Sequence, residues 1–226
     1  MTTATKRTVN RLPETNGAPG PVATTISAPN LATVQFKIRG TTPLCISKFS
    51  VKARDMMREK QMAGEMARKG TKRGPKDFQA AYEGAKYRSA DGWHGINANC
   101  FRSAMIAECR LVSFKMTVAK LCFFTEPDGY DAEDFTGLVR ITKGEPRMFE
   151  AALPNANGKH DLRVRPLWEI GWEALLRIRF DADQFSVTDI ANLLARAGGQ
   201  VGICEGRPNS RNSGGIGWGL FEIVNE

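Results

Sequence analysis

The sequence has few of the residues from which catalytic and metal sites are built. Its 226 residues include two histidines, three tyrosines and five scattered cysteines, and no two cysteines have C-x-x-C spacing. An odd number of unclustered cysteines argues against a zinc site and against a disulfide framework. We therefore expect reduced thiols and a cytoplasmic protein.

Other signals are also missing from the chain. No apolar run approaches the length of a membrane span, and the N-terminal residues lack the apolar centre of a signal peptide. We find no P-loop, nucleophile motif, paired carboxylate cluster or metal-ligand spacing. His94 lies in an aromatic turn and His160 in a polar loop, so neither stands out as a general base. We predict a binding protein with no catalytic residue, metal ion or cofactor, and no membrane contact.

The sequence does have positive charge and enough apolar residues for a core. The formal net charge is +8, and 42% of the residues are hydrophobic. This charge favours a polyanionic partner, with nucleic acid first and an acidic membrane surface second. The length suits one sizeable domain with insertions.

Most of the excess charge lies in one segment, residues 48–76. It holds ten lysines and arginines against three acidic residues, an excess of seven positive charges. Its first part, Val51 to Arg68, has a helical pattern that is apolar mainly through methionines, and a basic turn follows. We interpret the segment as a nucleic-acid contact, although a solvated charged helix also fits. The candidate binding residues are Lys52, Arg54, Arg58, Lys69, Lys72, Arg73 and Lys76.

Aromatic and basic residues alternate just after this segment, in residues 82–96. Stacking on unpaired bases uses this combination, so Trp93 and His94 are candidate contacts. The alternative is that Trp93 only fills the edge of the core. Residues 1–30 carry four prolines and few large apolar groups, which predicts a flexible, weakly basic arm. The arm is either a solvated tail or a segment that lies along a neighbouring subunit or a nucleic acid.

The remaining chain predicts an α+β fold. Strands are expected at 31–39, 120–124, 137–143 and 171–180, and a helix runs from Asn97 to about Val112, with Arg102 off its apolar stripe. Residues 144–165 are expected to be an irregular polar connection that ends with Arg163 and Arg165 on one face. Without the insertions at about 41–95 and 144–170, the order of elements is βαββαβ, a ferredoxin-like or RRM-like core.

The C-terminal stretch is rich in glycine. Ser186 and Asp189 have capping-box spacing and predict a helix that ends at Gly198 and Gly199. A strand is expected at 200–204, a loop at 205–215 and a last strand at 216–224. The glycines fit either the geometry of a hairpin or a backbone-lined seat for a phosphate chain. The candidate residues of such a seat are Arg207, Arg211, Gly214, Gly215 and Gly217.

Three features together resemble the RAMP superfamily, the RRM-like proteins of CRISPR effector complexes. They are the hairpin VGICEGRPNSRNSGGIGWGLFEIV, the helix entry GINANCFRSAMIAECR and the long basic insertion between the first strand and the first helix. The resemblance covers roughly residues 31–224. It implies a domain at 31–226 that resembles the backbone subunit of such complexes, or a solitary phage-borne relative.

The resemblance and the charge lead to the same expected function. We expect a cytoplasmic protein of a bacterial or phage-infected cell that binds single-stranded nucleic acid, with RNA favoured, and forms a filament or ring with copies of itself. Some members of the superfamily cleave RNA, so a metal-dependent endoribonuclease is one alternative. A viral structural or assembly protein that contacts nucleic acid is the other.

Overall fold

The computed structural model describes residues 27–49, 51–63, 77–154, 160–210 and 215–224. Most of the predicted N-terminal arm lies outside these ranges. The strands are β1 Leu31–Gly40, β2 Leu44–Cys45, β3 Tyr87–Arg88, β4 His94–Asn97, β5 Phe123–Glu126, β6 Gly129–Tyr130, β7 Gly137–Lys143, β8 Pro146–Pro154, β9 His160–Trp168, β10 Glu173–Asp181 and β11 Phe221–Ile223. The helices are α1 Val51–Ala63, α2 Phe78–Glu83, α3 Ala98–Glu108, α4 Met116–Cys122 and α5 Val187–Arg196, and a π-helical turn covers Ala197–Val201.

A large antiparallel sheet forms the centre of the molecule, which confirms the predicted α+β class. Its strands follow the order β11-β1-β10-β7-β4-β3, and β5 and β6 pair with β10 and β7. Strands β1 and β10 supply the middle because their apolar residues alternate with polar ones. Ile38, Leu176 and Ile178 are fully buried on the face that packs against the helices.

Helices α3 and α5 cover that face, and both begin at the predicted caps. Asn97 accepts a hydrogen bond from the Asn99 N–H at 2.9 Å. Ser186 and Asp189 form the complete capping box, each side chain accepting from the other residue's N–H. Phe101 on α3 is fully buried and packs edge-to-face against Phe221 of β11. The two helices are therefore fixed at their first turns and by the core.

A second, three-stranded sheet has the order β2-β9-β8. It corrects the prediction of an irregular connection at 144–165, because β8 and β9 pair continuously from Pro146↔Trp168 to Pro154↔His160. The alternation of apolar and polar residues that predicts a strand is obscured in this segment for two reasons. Strand β8 is an edge strand with a proline at each end, and charged residues of β9 face another loop. Val164 and Trp168 are the fully buried residues that hold β9 in place.

Two further predictions about local structure need correction. The strand expected at 120–124 begins only at Phe123, as β5, and the residues before it are the end of α4, because Ala119 and Cys122 bury a helical face. The chain also continues helically past Gly198, where a strand was expected at 200–204. A Cβ atom at Gly198 would lie 2.3 Å from the Phe221 carbonyl oxygen, so this glycine permits close packing on β11 rather than ending the helix.

Candidate nucleic-acid interface

The glycine-rich loop after the π-helical turn folds tightly onto itself. A Cβ atom at Gly219 would lie 2.0 Å from the carbonyl oxygen of Ile203, and one at Gly206 would lie 2.6 Å from the ring of Trp218. Both glycines have left-handed φ values, +71° and +81°. The loop therefore needs glycine at these places for backbone geometry and close packing.

The loop uses several of its own amides. The N–H groups of Gly217 and Trp218 both donate to the Gly206 carbonyl at 3.0 Å, and the Gly219 N–H donates to the Pro43 carbonyl at 2.8 Å. These groups hold the loop together, although no strand forms at 200–204, where a hairpin needs its first strand. Any ligand contact at this place has to use side chains or the loop's other amides. Gly215 is described in a left-handed turn, whereas Arg211 and Gly214 lie outside the described residues.

Arg163 and Arg165 of β9 reach this loop through one carboxylate. Arg163 Nη1 lies 2.9 Å from Glu205 Oε1, and Arg165 Nε lies 2.8 Å from Glu205 Oε2. The Glu205 N–H donates to the Cys45 carbonyl at 3.0 Å, which fixes the backbone of the glutamate against β2. The predicted shared face of the two arginines is thus confirmed, and Glu205 holds both guanidinium groups in defined positions.

Arg207 lies beside this pair and donates from Nη1 to the Cys204 carbonyl at 2.8 Å. The three arginines line one groove of about 330 Å³, which also includes Ser47, Tyr87 and Ser210. We call it the arginine groove. Three arginines against one glutamate leave a formal charge of +2. Within the described residues, the hydrogen bonds of each guanidinium engage only one or two of its five N–H groups.

A second cavity of about 240 Å³ adjoins the groove at the first turn of α3. Asn99 and Ser103 line it, and Cys100, Cys204 and Arg207 are common to both spaces. The hydrogen bond with the Cys204 thiol, helped by the Arg207 charge, lowers the pKa of Cys100. Sequence reasoning gave neither cysteine a place at the site. Their separation of about a hundred residues leaves no spacing signal by which to find them.

Trp93 and His94 lie elsewhere. Trp93 packs closely over Gly95 and Gly129, and the Arg140 guanidinium lies 5.9 Å from its ring. His94 is half-buried and meets the Trp168 ring edge-to-face at 5.8 Å. Burial first, and then nearby positive charges, lower the pKa of His94, so its imidazole is neutral at pH 7. Neither residue lines the arginine groove.

Arg102 is also outside the groove. Its Nε donates to the Phe123 carbonyl at 3.1 Å and its guanidinium lies 4.7 Å from the Phe124 ring. On α1, Arg58 is exposed and lies 4.0 Å from Asp55, while Arg54 is half-buried. The Lys52 side chain, and Lys69, Lys72, Arg73 and Lys76 altogether, lie outside the described residues.

Lys48, the first cation of the basic segment, has a structural role. Its Nζ lies 2.6 Å from Asp131 Oδ1 and 2.7 Å from Glu133 Oε2, and its side chain is 4% exposed. Asp131 also accepts the Arg88 N–H at 3.1 Å. This charge is neutralised inside the protein, so one of the ten cations of the segment is not available to a ligand.

No group of three or more histidine, cysteine, aspartate or glutamate side chains in the described residues is arranged to hold a metal ion. Of the helices in the described part of the chain, none combines the length and apolar character needed to cross a bilayer.

Comparison with known proteins adds no family to this geometry. No protein-family model matches the chain, and no curated protein shows significant sequence similarity to it.

Proposed function

We propose that the protein binds single-stranded nucleic acid, with RNA favoured, and that copies of it assemble side by side along the strand. One observation carries the proposal: Arg163, Arg165 and Arg207 come from segments about forty residues apart and converge on one groove. Guanidinium groups match the geometry of phosphate oxygens and stay charged at all physiological pH values. A groove with three of them suits a phosphate chain.

Glu205 contributes by fixing the cations before any ligand arrives. Its side chain is 8% exposed and contacts both Arg163 and Arg165, so the two guanidinium groups are ordered in advance. Groups that are already ordered lose less entropy on binding. The same carboxylate reduces the net charge, and for this reason we assign the remaining electrostatic attraction to the basic segment at residues 48–76.

The fold part of the proposal is a ferredoxin-like core related to the RAMP proteins. Strands β1, β7, β10 and β11 take the places of its four strands, and α3 and α5 take the places of its two helices. Three things support this: the neighbour order β11-β1-β10-β7, the antiparallel pairing throughout, and both helices on one face. The arginine groove then lies beside the last helix-to-strand loop, where the resemblance places the glycine-rich motif.

Binding of a fluorescent single strand, followed by anisotropy at several salt concentrations, tests the proposal. The Arg163→Gln/Arg207→Gln variant should bind about tenfold more weakly, and its plot of log affinity against log salt should be shallower by about 0.7 for each phosphate that is no longer neutralised. The matched control is Arg110→Gln, which removes an exposed charge beyond the opposite end of α3. It should change affinity less than twofold.

A second variant addresses the basic segment. Lys69→Glu with Arg73→Glu should weaken binding to all sequences alike, because phosphate contacts carry no base information. Salt-independent binding, or equal losses in the groove variant and the Arg110 control, would contradict the proposal. Tighter binding to RNA than to DNA of the same sequence would support the preference for RNA.

The same samples also test the two alternative functions, a metal-dependent endoribonuclease and a viral structural or assembly protein. RNA that is cut after addition of magnesium or manganese would indicate a nuclease. Large symmetric particles that form without nucleic acid, from a chain that does not bind the fluorescent single strand, would indicate an assembly protein.

A further inference from the structure

Strand β1 is paired along its whole length on one side only. Toward β10 it pairs from Leu31↔Asp181 to Arg39↔Glu173, but toward β11 it pairs only at Ile38, Arg39 and Gly40. One more bond, from the Val224 N–H to the Lys37 carbonyl, extends this side slightly. Among the described residues, no strand faces the first part of β1 on the β11 side.

The hydrogen bonds show which groups point to that open side. The Lys37 carbonyl bonds toward β11, whereas the Gly40 N–H bonds to the Trp172 carbonyl and the Asn30 carbonyl accepts the Ala182 N–H on the β10 side. Because the direction alternates along a strand, the N–H and C=O groups of odd-numbered residues point away from β10. Leu31, Thr33 and Gln35 therefore present backbone donors and acceptors to the open edge.

Apolar side chains line the core side of the same edge. Ala32, Val34 and Phe36 face the core side of the sheet but are only half-buried. A groove of about 530 Å³ begins beside Phe36 and lies between β11 and α5. Its lining mixes apolar residues, such as Phe221 and Ile223, with polar ones, such as Asn192 and Glu222. An unpaired strand edge beside apolar side chains is the type of surface that a further strand completes.

We propose that this edge receives residues 22–27 of a second copy of the chain as an added β-strand. The added strand would pair with Leu31, Thr33 and Gln35 and place alternate side chains beside the half-buried Ala32, Val34 and Phe36. Each subunit would give its arm to one neighbour and accept the arm of another. Such a head-to-tail contact generates a ring or a filament.

The sequence of the arm fits this role. Residues 22–27 read Val-Ala-Thr-Thr-Ile-Ser, in which four of the six residues are β-branched and Val22, Thr24 and Ile26 fall on one face. Prolines at 21 and 29 flank the run, so it is bounded as an edge strand often is.

The entry of the chain into β1 favours a neighbour over the arm's own subunit. Asn30 continues the pairing with Ala182 on the β10 side, and its side chain donates to Asp183 at 3.2 Å. No residue from 27 to 30 has the left-handed φ of the two- and three-residue loops that most often connect the strands of a hairpin. Pro29 also keeps Ala28 extended. From Asn30, eight extended residues span up to about 28 Å, which is enough to reach an adjacent subunit.

This inference rests on the assembly part of the proposed function and not on its RNA-binding part. It is tested by a donor and an acceptor variant. A chain lacking residues 1–26 keeps the edge but has no arm to give. Thr33→Pro keeps the arm but removes the outward N–H of the edge and fills its place with the proline ring, leaving the β10 ladder intact. Each variant alone should stay monomeric on light scattering in the absence of nucleic acid.

Mixing the two variants should restore one contact and give a one-to-one dimer, because one partner supplies the arm and the other supplies the edge. Controls are a chain lacking residues 1–20, which keeps the run, and Thr33→Val, which keeps the N–H; both should assemble like the full chain. On a short strand that holds one subunit, all variants should bind within twofold of the full chain. On a long strand, each of the two defective variants should bind about tenfold more weakly or worse.

Two results would overturn the arm exchange. One is assembly of the chain lacking residues 1–26 as efficiently as the full chain. The other is a mixture that stays monomeric while circular dichroism shows both variants folded. Failure of the full chain to bind the short strand would instead reject the RNA-binding proposal, and mixing without nucleic acid would still decide the arm exchange.

Discussion

Gly219 and Ile203 lie backbone to backbone at the base of the glycine-rich loop. The Ile203 N–H donates to the Gly219 carbonyl at 3.0 Å, and the Ile203 carbonyl oxygen occupies the space that a Cβ atom at Gly219 would need. This contact joins the segment after the π-helical turn to the segment before β11. It therefore fixes the loop that carries Glu205 and Arg207.

We expect Gly219→Ala to lower the free energy of unfolding by about 3 kcal/mol or more, because the added carbon meets backbone that cannot move away cheaply. The matched control is Gly217→Ala. Gly217 has a similar left-handed φ of +85°, but no atom lies within 4 Å of the added carbon. Gly217→Ala should lower the free energy of unfolding by about 1–2 kcal/mol, because only the strained backbone conformation contributes. Urea unfolding measures both, and equal losses would contradict this assignment.

Glu205→Gln should destabilise the protein by about 1–3 kcal/mol, since it leaves two half-buried arginines without their shared carboxylate. Glu169→Gln is the control, because Glu169 and its partner Arg147 are both more than half exposed. That exposed pair should contribute at most about 1 kcal/mol. Thermal or urea unfolding compares the two, and a larger loss at Glu169 would show that Glu205 does not hold the groove.

The buried pair of Lys48 and Asp131 predicts a pH dependence. Burial alone would raise the pKa of Asp131, but the hydrogen bonds from Lys48 and from the Glu133 and Arg88 N–H groups outweigh burial and lower the pKa below its usual value. A depressed folded-state pKa stabilises the protein at neutral pH, and this stability disappears as pH falls below the ordinary carboxyl value of about 3.9.

Asp131→Asn should therefore lower the free energy of unfolding by about 3 kcal/mol at pH 7. The difference in unfolding free energy between the variant and the unmodified protein should shrink as the pH falls below about 4. Urea unfolding across this range measures it. Asp91→Asn, at an exposed turn, is the control and should change stability little at any pH. A difference for Asp131→Asn that stays constant down to about pH 2 would contradict the prediction.

The thiols should react in a definite order. Burial first, and then the Glu205 carboxylate, raise the pKa of Cys45 to about 12, whereas the Cys204 thiol and Arg207 lower the pKa of Cys100. Since the thiolate is the reactive form, iodoacetamide should modify Cys100 well before Cys45. Peptide mapping after short exposures to iodoacetamide measures the order in which the cysteines are modified, and Cys100→Ser is the control. Early labelling of Cys45 in the folded protein would contradict it.

Much of the fold follows from sequence periodicity. Strands β1 and β10 and helices α3 and α5 were predicted because each has one apolar face and, for the helices, a clear cap. The hairpin of β8 and β9 was missed because its outer strand buries little and so lacks alternation. The helical path through Gly198 was missed because a glycine ends a helix in most contexts, and only the distant Phe221 backbone shows why it does not here.

The candidate site was predictable only in part. Arg163, Arg165 and Arg207 were each identified from local pattern, but nothing local links them to Glu205, which joins two of them across forty residues. Lys48 was counted as part of the basic segment, and its burial depends on Asp131, eighty-three residues later. Pairings of this kind arise from the three-dimensional path of the chain and leave no local spacing by which to predict them.

The pairing of β1 also determines when the molecule can fold. Leu31 pairs with Asp181, 150 residues later, and Ile38 pairs with Ile223, 185 residues later. During synthesis β1 therefore emerges long before either partner exists, and the sheet can close only after residue 223 has been made. Contacts so distant along the chain slow folding. A long wait with an unpaired strand also gives cellular chaperones a defined segment to protect on each nascent chain.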